Sequence, residues 1–216
     1  MIEAVIFDMD GVLFDTENMT LKLWKKLCKE MNCADVTQHP EEFMGMNSDQ
    51  IHKHFLDHFG VDFPYEEFMR RGRKYAEEEV QANGVPVKPG LYKLLDYLKQ
   101  NGFLIAAASS TKRVTVLQYF ESAGITGYFN RIICGDMVEK SKPDPDIYLK
   151  AASALGVNPH SCMAVEDSPN GIASAWSAGM KTVMVPDLVP PNPRLNQMLY
   201  ACVPTLADII PLLERE

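Results

Sequence analysis

Asp8 and Asp10, two carboxylates one residue apart and followed at once by Gly11, are the side chains in this sequence best placed to share a chemical task. In a continuing strand they would point to opposite faces. A glycine directly after them lets the backbone turn and bring both into one pocket. Asp and Gly are also ordinary turn residues, so the pair by itself fits a solvated turn equally well. Three later stretches carry complementary groups: Ser109-Ser110-Thr111-Lys112, Lys142 within Lys140-Ser141-Lys142-Pro143-Asp144-Pro145, and Glu166-Asp167-Ser168. Phosphoryl transfer needs a nucleophile, a proton donor, a cation site and donors for the phosphate oxygens. Carboxylates can hold Mg²⁺, which prefers hard oxygen ligands. A lysine can neutralise the phosphoryl charge, and a serine hydroxyl can donate to it.

The surrounding elements explain how such groups could meet. An apolar, β-branched run beginning at Ile2 reads as a buried strand that stops at Asp8. From Thr16 onward the period changes: Met19, Leu23, Leu27 and Met31 recur every four residues, as in an amphipathic helix. A second helix is expected after Asn47-Ser48, with Ile51, Phe55 and Phe59 inward, and a third from Tyr65 to Gly84 with Phe68, Met69, Ala76 and Val80 inward. No strand is expected between 16 and 84, and residues 85–90, with two prolines, read as an extended return from this helical block.

Beyond it, helices and strands alternate. Helices are expected at 91–100, at Val114 to Gly124, at 146–155, from Pro169 to Gly179 and at 206–213. Strands are expected at 103–108, 131–134, 161–165 and 181–185, with a short one at 201–203. Alternation of this kind predicts an α/β fold: a Rossmann-like parallel sheet covered on both faces, joined by right-handed crossovers, with the helical block inserted after the first strand. Ligands of such sheets sit beyond the carboxyl ends of the strands, and that is where all four chemical stretches fall.

A net charge of −8 argues against general nucleic-acid binding. No stretch reaches the roughly 18 apolar residues of a membrane span. Five scattered cysteines without C-x-x-C spacing fit reduced thiols. With Glu3 leading into the first strand and no secretory pattern there, the expected compartment is the cytoplasm and the expected state a monomer.

In order, Asp8-Met9-Asp10-Gly11, Ser109, Lys142 in Lys-Pro-Asp-Pro and Glu166-Asp167-Ser168 resemble the four motifs of haloacid dehalogenase superfamily hydrolases. The resemblance covers nearly the whole chain and lies closest to the subfamily IA branch of β-phosphoglucomutases and sugar phosphatases. It implies a core of residues 1–15 and 88–216 and a helical cap of residues 16–87, hinged at Thr16 and at 85–89. It implies that Asp8 is the nucleophile forming an aspartyl-phosphate and that Asp10 is the acid/base. Mg²⁺ would be arranged by Asp8, the backbone carbonyl of Asp10, and Asp167, with Glu166 nearby. Ser109, with Ser110 after it, and Lys142 would hold the phosphoryl group of a small phosphorylated metabolite.

Mutase and phosphatase are told apart by the cap. β-Phosphoglucomutases carry a histidine near the position of Thr20 and an arginine in the loop aligned with Gly45-Met46-Asn47-Ser48-Asp49, and this sequence has neither. Loss of the arginine removes a clamp for a second phosphate. Hydrolysis of a phosphomonoester, such as a sugar phosphate, is therefore the leading expectation, and interconversion of β-glucose 1-phosphate and glucose 6-phosphate the alternative. Arg70, Arg71, Arg73 and Lys74 are read as a solvated helix face rather than a substitute clamp. His52, His54 and His58 are read the same way, since two histidines one turn apart make a poor metal site. Trp24, Phe43, Met44 and Met46 are candidates for the substrate pocket or for the core of the cap.

Overall fold

Strand β1 (Ala4–Phe7) is buried on both faces: Val5 and Phe7 point into one apolar cluster and Ala4 and Ile6 into another. A central strand of a doubly covered sheet has this pattern. The computed structural model describes residues 1–39, Phe43 and 48–215. Among these residues β1, β2 (Leu104–Ser109), β3 (Arg131–Cys134), β4 (Cys162–Glu166), β5 (Lys181–Met184) and β6 (Ala201–Cys202) form one parallel sheet in the order β3-β2-β1-β4-β5-β6. Phe7 pairs in register with Ala107 and Val165, so the chain ends of the three central strands lie side by side. The strand order reverses beside β1, and Asp8 sits directly after it.

One face of the sheet is covered by α4 (Leu91–Gln100) and α5 (Arg113–Ser122), whose Leu94, Leu95, Leu98, Val116 and Phe120 are buried. On the other face α6 (Asp146–Leu155) and α7 (Pro169–Ser177) pack against small strand residues, Ala106, Ala108 and Ala164. The alanines let α6 lie close enough for Tyr148, fully buried, to reach the strand ends. A short α8 (Pro193–Asn196) follows β5, and the expected terminal helix is a 3₁₀ turn (Leu206–Ile209) running into α9 (Ile210–Leu213). The strand expected from Ile2 begins at Ala4, and Glu3 just before it already bonds both neighbouring chains, its N–H donating to Ser161 O and its O accepting from Leu104 N–H.

Helices α1 (Thr16–Met31), α2 (Ser48–Phe59) and α3 (Tyr65–Asn83) share a separate apolar cluster. Phe55, fully buried, is its hub, with Trp24, Phe63 and Phe68 at ring-centroid distances of 5.7, 5.3 and 6.0 Å. Gly72 on α3 permits the close approach of α1, since a Cβ there would lie 3.0 Å from Trp24 Nε1. The two chain crossings between this cluster and the sheet are zipped together: Asp15 N–H donates to Pro86 O at 2.8 Å and Lys88 N–H to Leu13 O at 3.0 Å. No described helix is long and apolar enough to cross a membrane. All five cysteines are free thiols.

Candidate active site

After β1 the backbone turns sharply. Gly11 N–H donates to Phe14 O at 2.8 Å, and Leu13 and Phe14 N–H both return to Met9 O. Gly11 has φ +79°, and its missing side chain leaves the space that Asp167 fills: a Cβ would come 2.8 Å from Asp167 Cγ. The turn brings Asp8 and Asp10 into one cleft of about 290 Å³ that also exposes Lys142 and Asp167.

Lys142, only 6% exposed, is held between two carboxylates. It donates to Asp8 Oδ1 and, at 2.6 Å, to Glu166 Oε1. Burial would strip its proton, but Asp8 and Glu166 outweigh that effect and hold its pKa above the ordinary lysine value. Glu166 is fully buried and saturated: Tyr148 donates to Oε1 at 2.7 Å, and Asp167 N–H and the Ser168 hydroxyl donate to Oε2 at 3.2 Å. These bonds hold Glu166 in place against Lys142.

Asp8 is raised to about 8, chiefly by burial, against the pull of Lys142 and with help from Glu166 and Asp10. Burial also raises Asp10, opposed by two hydroxyls that hold it as a fork. Thr16 donates to Oδ1 at 2.6 Å and Thr111 to Oδ2 at 2.7 Å. Two neighbouring carboxyls thus have different partners, an ammonium for Asp8 and hydroxyls for Asp10. Such asymmetry allows one to attack while the other moves a proton.

Ser109 is fully buried at the end of β2, where its Oγ accepts from Thr111 N–H at 3.1 Å; Ser110 lines the cleft. Carboxylate oxygens of Asp8, Glu166 and Asp167 lie within 4.8 Å of one another. Three buried hard donors against one lysine leave an excess of negative charge, a set suited to a divalent cation. The Asp10 side chain, engaged by its threonines, is not one of these three.

Thr20, Trp24 and Phe43 line the same cleft from the helical side. Met44, Met46 and the Gly45-Met46-Asn47 part of the arginine-free loop lie outside the described residues. Arg70 and Arg71 are turned outward, paired with Glu67 and Glu30, and Lys74 faces Glu78. The histidines belong to helix packing, His52 stacked on Tyr65 and His54 on His58.

Several neighbours of the cleft carry no signal in the sequence itself. Thr111 was visible only as the third residue of a polar loop, and Tyr148 only as one aromatic of an amphipathic helix. Glu17, which lines the cleft and is raised to about 8 by burial and by Asp10 and Asp187, carried no motif of its own.

A family model described as haloacid dehalogenase-like hydrolase matches residues 5–185. The chain belongs to this family. Among the family's members, a Drosophila melanogaster protein named "Probable pseudouridine-5'-phosphatase" is 34% identical over 199 residues, 89% of this chain and 83% of the relative. A Thermotoga maritima phosphorylated carbohydrates phosphatase is 29% identical over 182 residues, 84% of each chain. The crystal structure of β-phosphoglucomutase from Clostridium difficile superposes with a TM-score of 0.80 at 27% identity, covering 100% of this chain and 96% of that one.

Proposed function

We propose that this haloacid dehalogenase-like hydrolase removes phosphate from a small phosphomonoester, a sugar phosphate by preference, through an aspartyl-phosphate on Asp8. The observation that carries the reading is the pairing of Asp8, in contact with Lys142, with Asp10, which is held by Thr16 and Thr111 at the same strand end. An Asp8 carboxylate oxygen forms a bond to phosphorus as the bond to the leaving oxygen breaks, and Asp10 gives that oxygen its proton. Water then attacks the phosphorus of the aspartyl-phosphate, Asp10 takes the proton back, and inorganic phosphate leaves with Asp8 restored. Lys142, with Ser109 and Ser110, carries the charge of the phosphoryl oxygens.

Asp8, Asp167 and the Asp10 carbonyl, backed by Glu166, would hold Mg²⁺. Bound there, it favours the ionised form of Asp8 and offsets the repulsion between carboxylates and phosphate. The helices of residues 16–87 act as a cap over the cleft, excluding bulk water during transfer, and Thr16 with 85–89 serves as hinge. A monomer in the cytoplasm completes the proposal, on the sequence alone.

The likeness to a β-phosphoglucomutase structure supports a second reading, a mutase. Against it, Lys142 is the only cationic side chain among the described residues lining the cleft, which leaves a second phosphate without a counter-charge. The test is turnover of an aryl phosphate and of β-glucose 1-phosphate with Mg²⁺ present. Phosphate release without glucose 6-phosphate, abolished in Asp8→Asn, is expected. Wild-type kcat in Asp8→Asn would exclude the nucleophile, and isomerised product dependent on a bisphosphate would establish the mutase.

A further inference from the structure

Beside the Asp8, Glu166 and Asp167 group stands a second acidic triad that shares Asp167. Glu17, Asp167 and Asp187 present carboxylate oxygens within 4.8 Å of one another. The three come from different parts of the fold: Glu17 from the first turn of α1, Asp167 from the end of β4, and Asp187 from the loop after β5. A cluster of acids at a surface usually means little, because water screens it and each group keeps its own solvation.

Asp187 is different. Its side chain is 5% exposed, and its two oxygens are treated unequally. Oδ1 accepts from Lys88 Nζ at 2.8 Å and from Asn18 Nδ2 at 3.3 Å, so both chain crossings are tied to this one residue. Oδ2 is buried without any hydrogen-bond partner, alone in this among the side-chain polar atoms of the described residues. A buried carboxylate oxygen left without a donor is costly, and proteins retain such an atom where something else supplies the donor. Among the described residues Glu17 has no hydrogen-bond donor either, although it lines the cleft with Asp10 and Asp167.

A hard divalent ion that keeps part of its water shell supplies what both groups lack. Its waters are strong hydrogen donors, and its charge offsets carboxylates that otherwise repel. We propose that Glu17 and Asp187 form an outer tier of the cation site, accepting hydrogen bonds from waters of the ion held by Asp8 and Asp167, so that ion loading draws α1 onto the sheet. The inference rests on the cation-dependent reading of the site. It makes Glu17 a positioning residue on the helical side of the cleft, and Asp187 its counterpart on the sheet side, already tied to α1 through Asn18.

The test is Mg²⁺ binding to the metal-free protein by calorimetry, together with the emission of Trp24, which lies on α1 at the cleft; a Trp176→Phe background leaves Trp24 as the sole tryptophan. Wild type should bind Mg²⁺ and change its emission. Glu17→Gln should bind about tenfold more weakly, the usual scale for such outer partners, and lose the emission change. Glu67→Gln, which removes the same charge from an outward face of α3, should match wild type. Asp187→Asn, expected to weaken binding several-fold, decides the matter if Glu17→Gln shows no thermal unfolding transition. Wild-type Mg²⁺ affinity in both Glu17→Gln and Asp187→Asn overturns the outer tier. Weakened binding with an emission that never responds to Mg²⁺ overturns the coupling to α1. No Mg²⁺ binding by wild type overturns the cation reading itself, a different failure from the first two.

Discussion

Thr16 donates its hydroxyl to Asp10 Oδ1 at 2.6 Å, joining the first residue of α1 to the carboxyl beside Asp8. In the proposed mechanism the bond links proton transfer by Asp10 with movement of the helical block. Any swing of α1 about its first residue would stretch or restore this hydrogen bond to Asp10. The state of Asp10 and the position of α1 are therefore coupled by one short contact.

Thr16→Val keeps the shape and removes the donor. Burial raises Asp10, and the Thr16 bond opposes that rise, so its loss moves Asp10 further up. The acid form then persists to higher pH, and the alkaline limb of the kcat/KM profile should move upward, with kcat reduced about tenfold for a lost charge-assisted bond. A pH–rate profile measured on an aryl phosphate checks this. An alkaline limb that stayed in place would detach Thr16 from Asp10 in the working enzyme.

Lys142→Met leaves Asp8 and Glu166 buried with no cation between them. Removing one partner of a buried ionic network costs about 3–5 kcal/mol. The thermal midpoint of the metal-free variant should drop sharply, and saturating Mg²⁺ should recover more stability in the variant than in wild type. Activity should fall by about a hundredfold or more, because the phosphoryl charge loses its fixed counter-ion. Differential scanning calorimetry with and without Mg²⁺ decides it, and an unaltered midpoint would contradict the tight burial of Lys142.

The parallel sheet was legible because alternating apolar strands and helices have distinct periods, and β1 to β5 fall within one or two residues of where the pattern put them. The four candidate site stretches were legible because each places polar or charged residues at a strand's carboxyl end or in the loop that follows it. Other features depend on distances that no local pattern encodes. Tyr148 reaches Glu166 only because Ala106, Ala108 and Ala164 let α6 lie low on the sheet. Asp187 sits in a proline-rich loop that reads as surface, yet Lys88, 99 positions away in the chain, closes over it. Residues 85–90 read as an extended linker, and nothing local predicts that backbone bonds zip it to residues 13–15.

Gly11→Ala tests the turn after β1. At φ +79° an alanine is strained by about 1–2 kcal/mol, and its methyl group would also displace the Asp167 carboxylate. Stability should fall modestly while Mg²⁺ affinity, read by calorimetry, falls about tenfold or more. Equal losses of stability and no change in affinity would show that Asp167 has room to retreat without leaving the cation site.

Removal of the cation should invert the pH dependence of stability normally expected of paired carboxylates. Asp8 is raised from 3.8 and Glu17 from 4.5, both to about 8, by burial first of all. The folded state therefore binds these protons more tightly than the unfolded chain does. Their contribution is complete below the unfolded values near pH 4, declines as pH rises, and is gone above about 8. In chelator-treated protein the thermal midpoint should thus fall steadily between about pH 4 and 8, where a protein stabilised by depressed carboxylates would gain. Saturating Mg²⁺ should reverse the slope, because the ion binds the ionised forms and rewards their deprotonation. Glu17→Gln should flatten the chelator-treated curve in part, leaving the share that belongs to Asp8. A midpoint that rose with pH in the absence of divalent ions would show that Lys142 alone keeps Asp8 ionised.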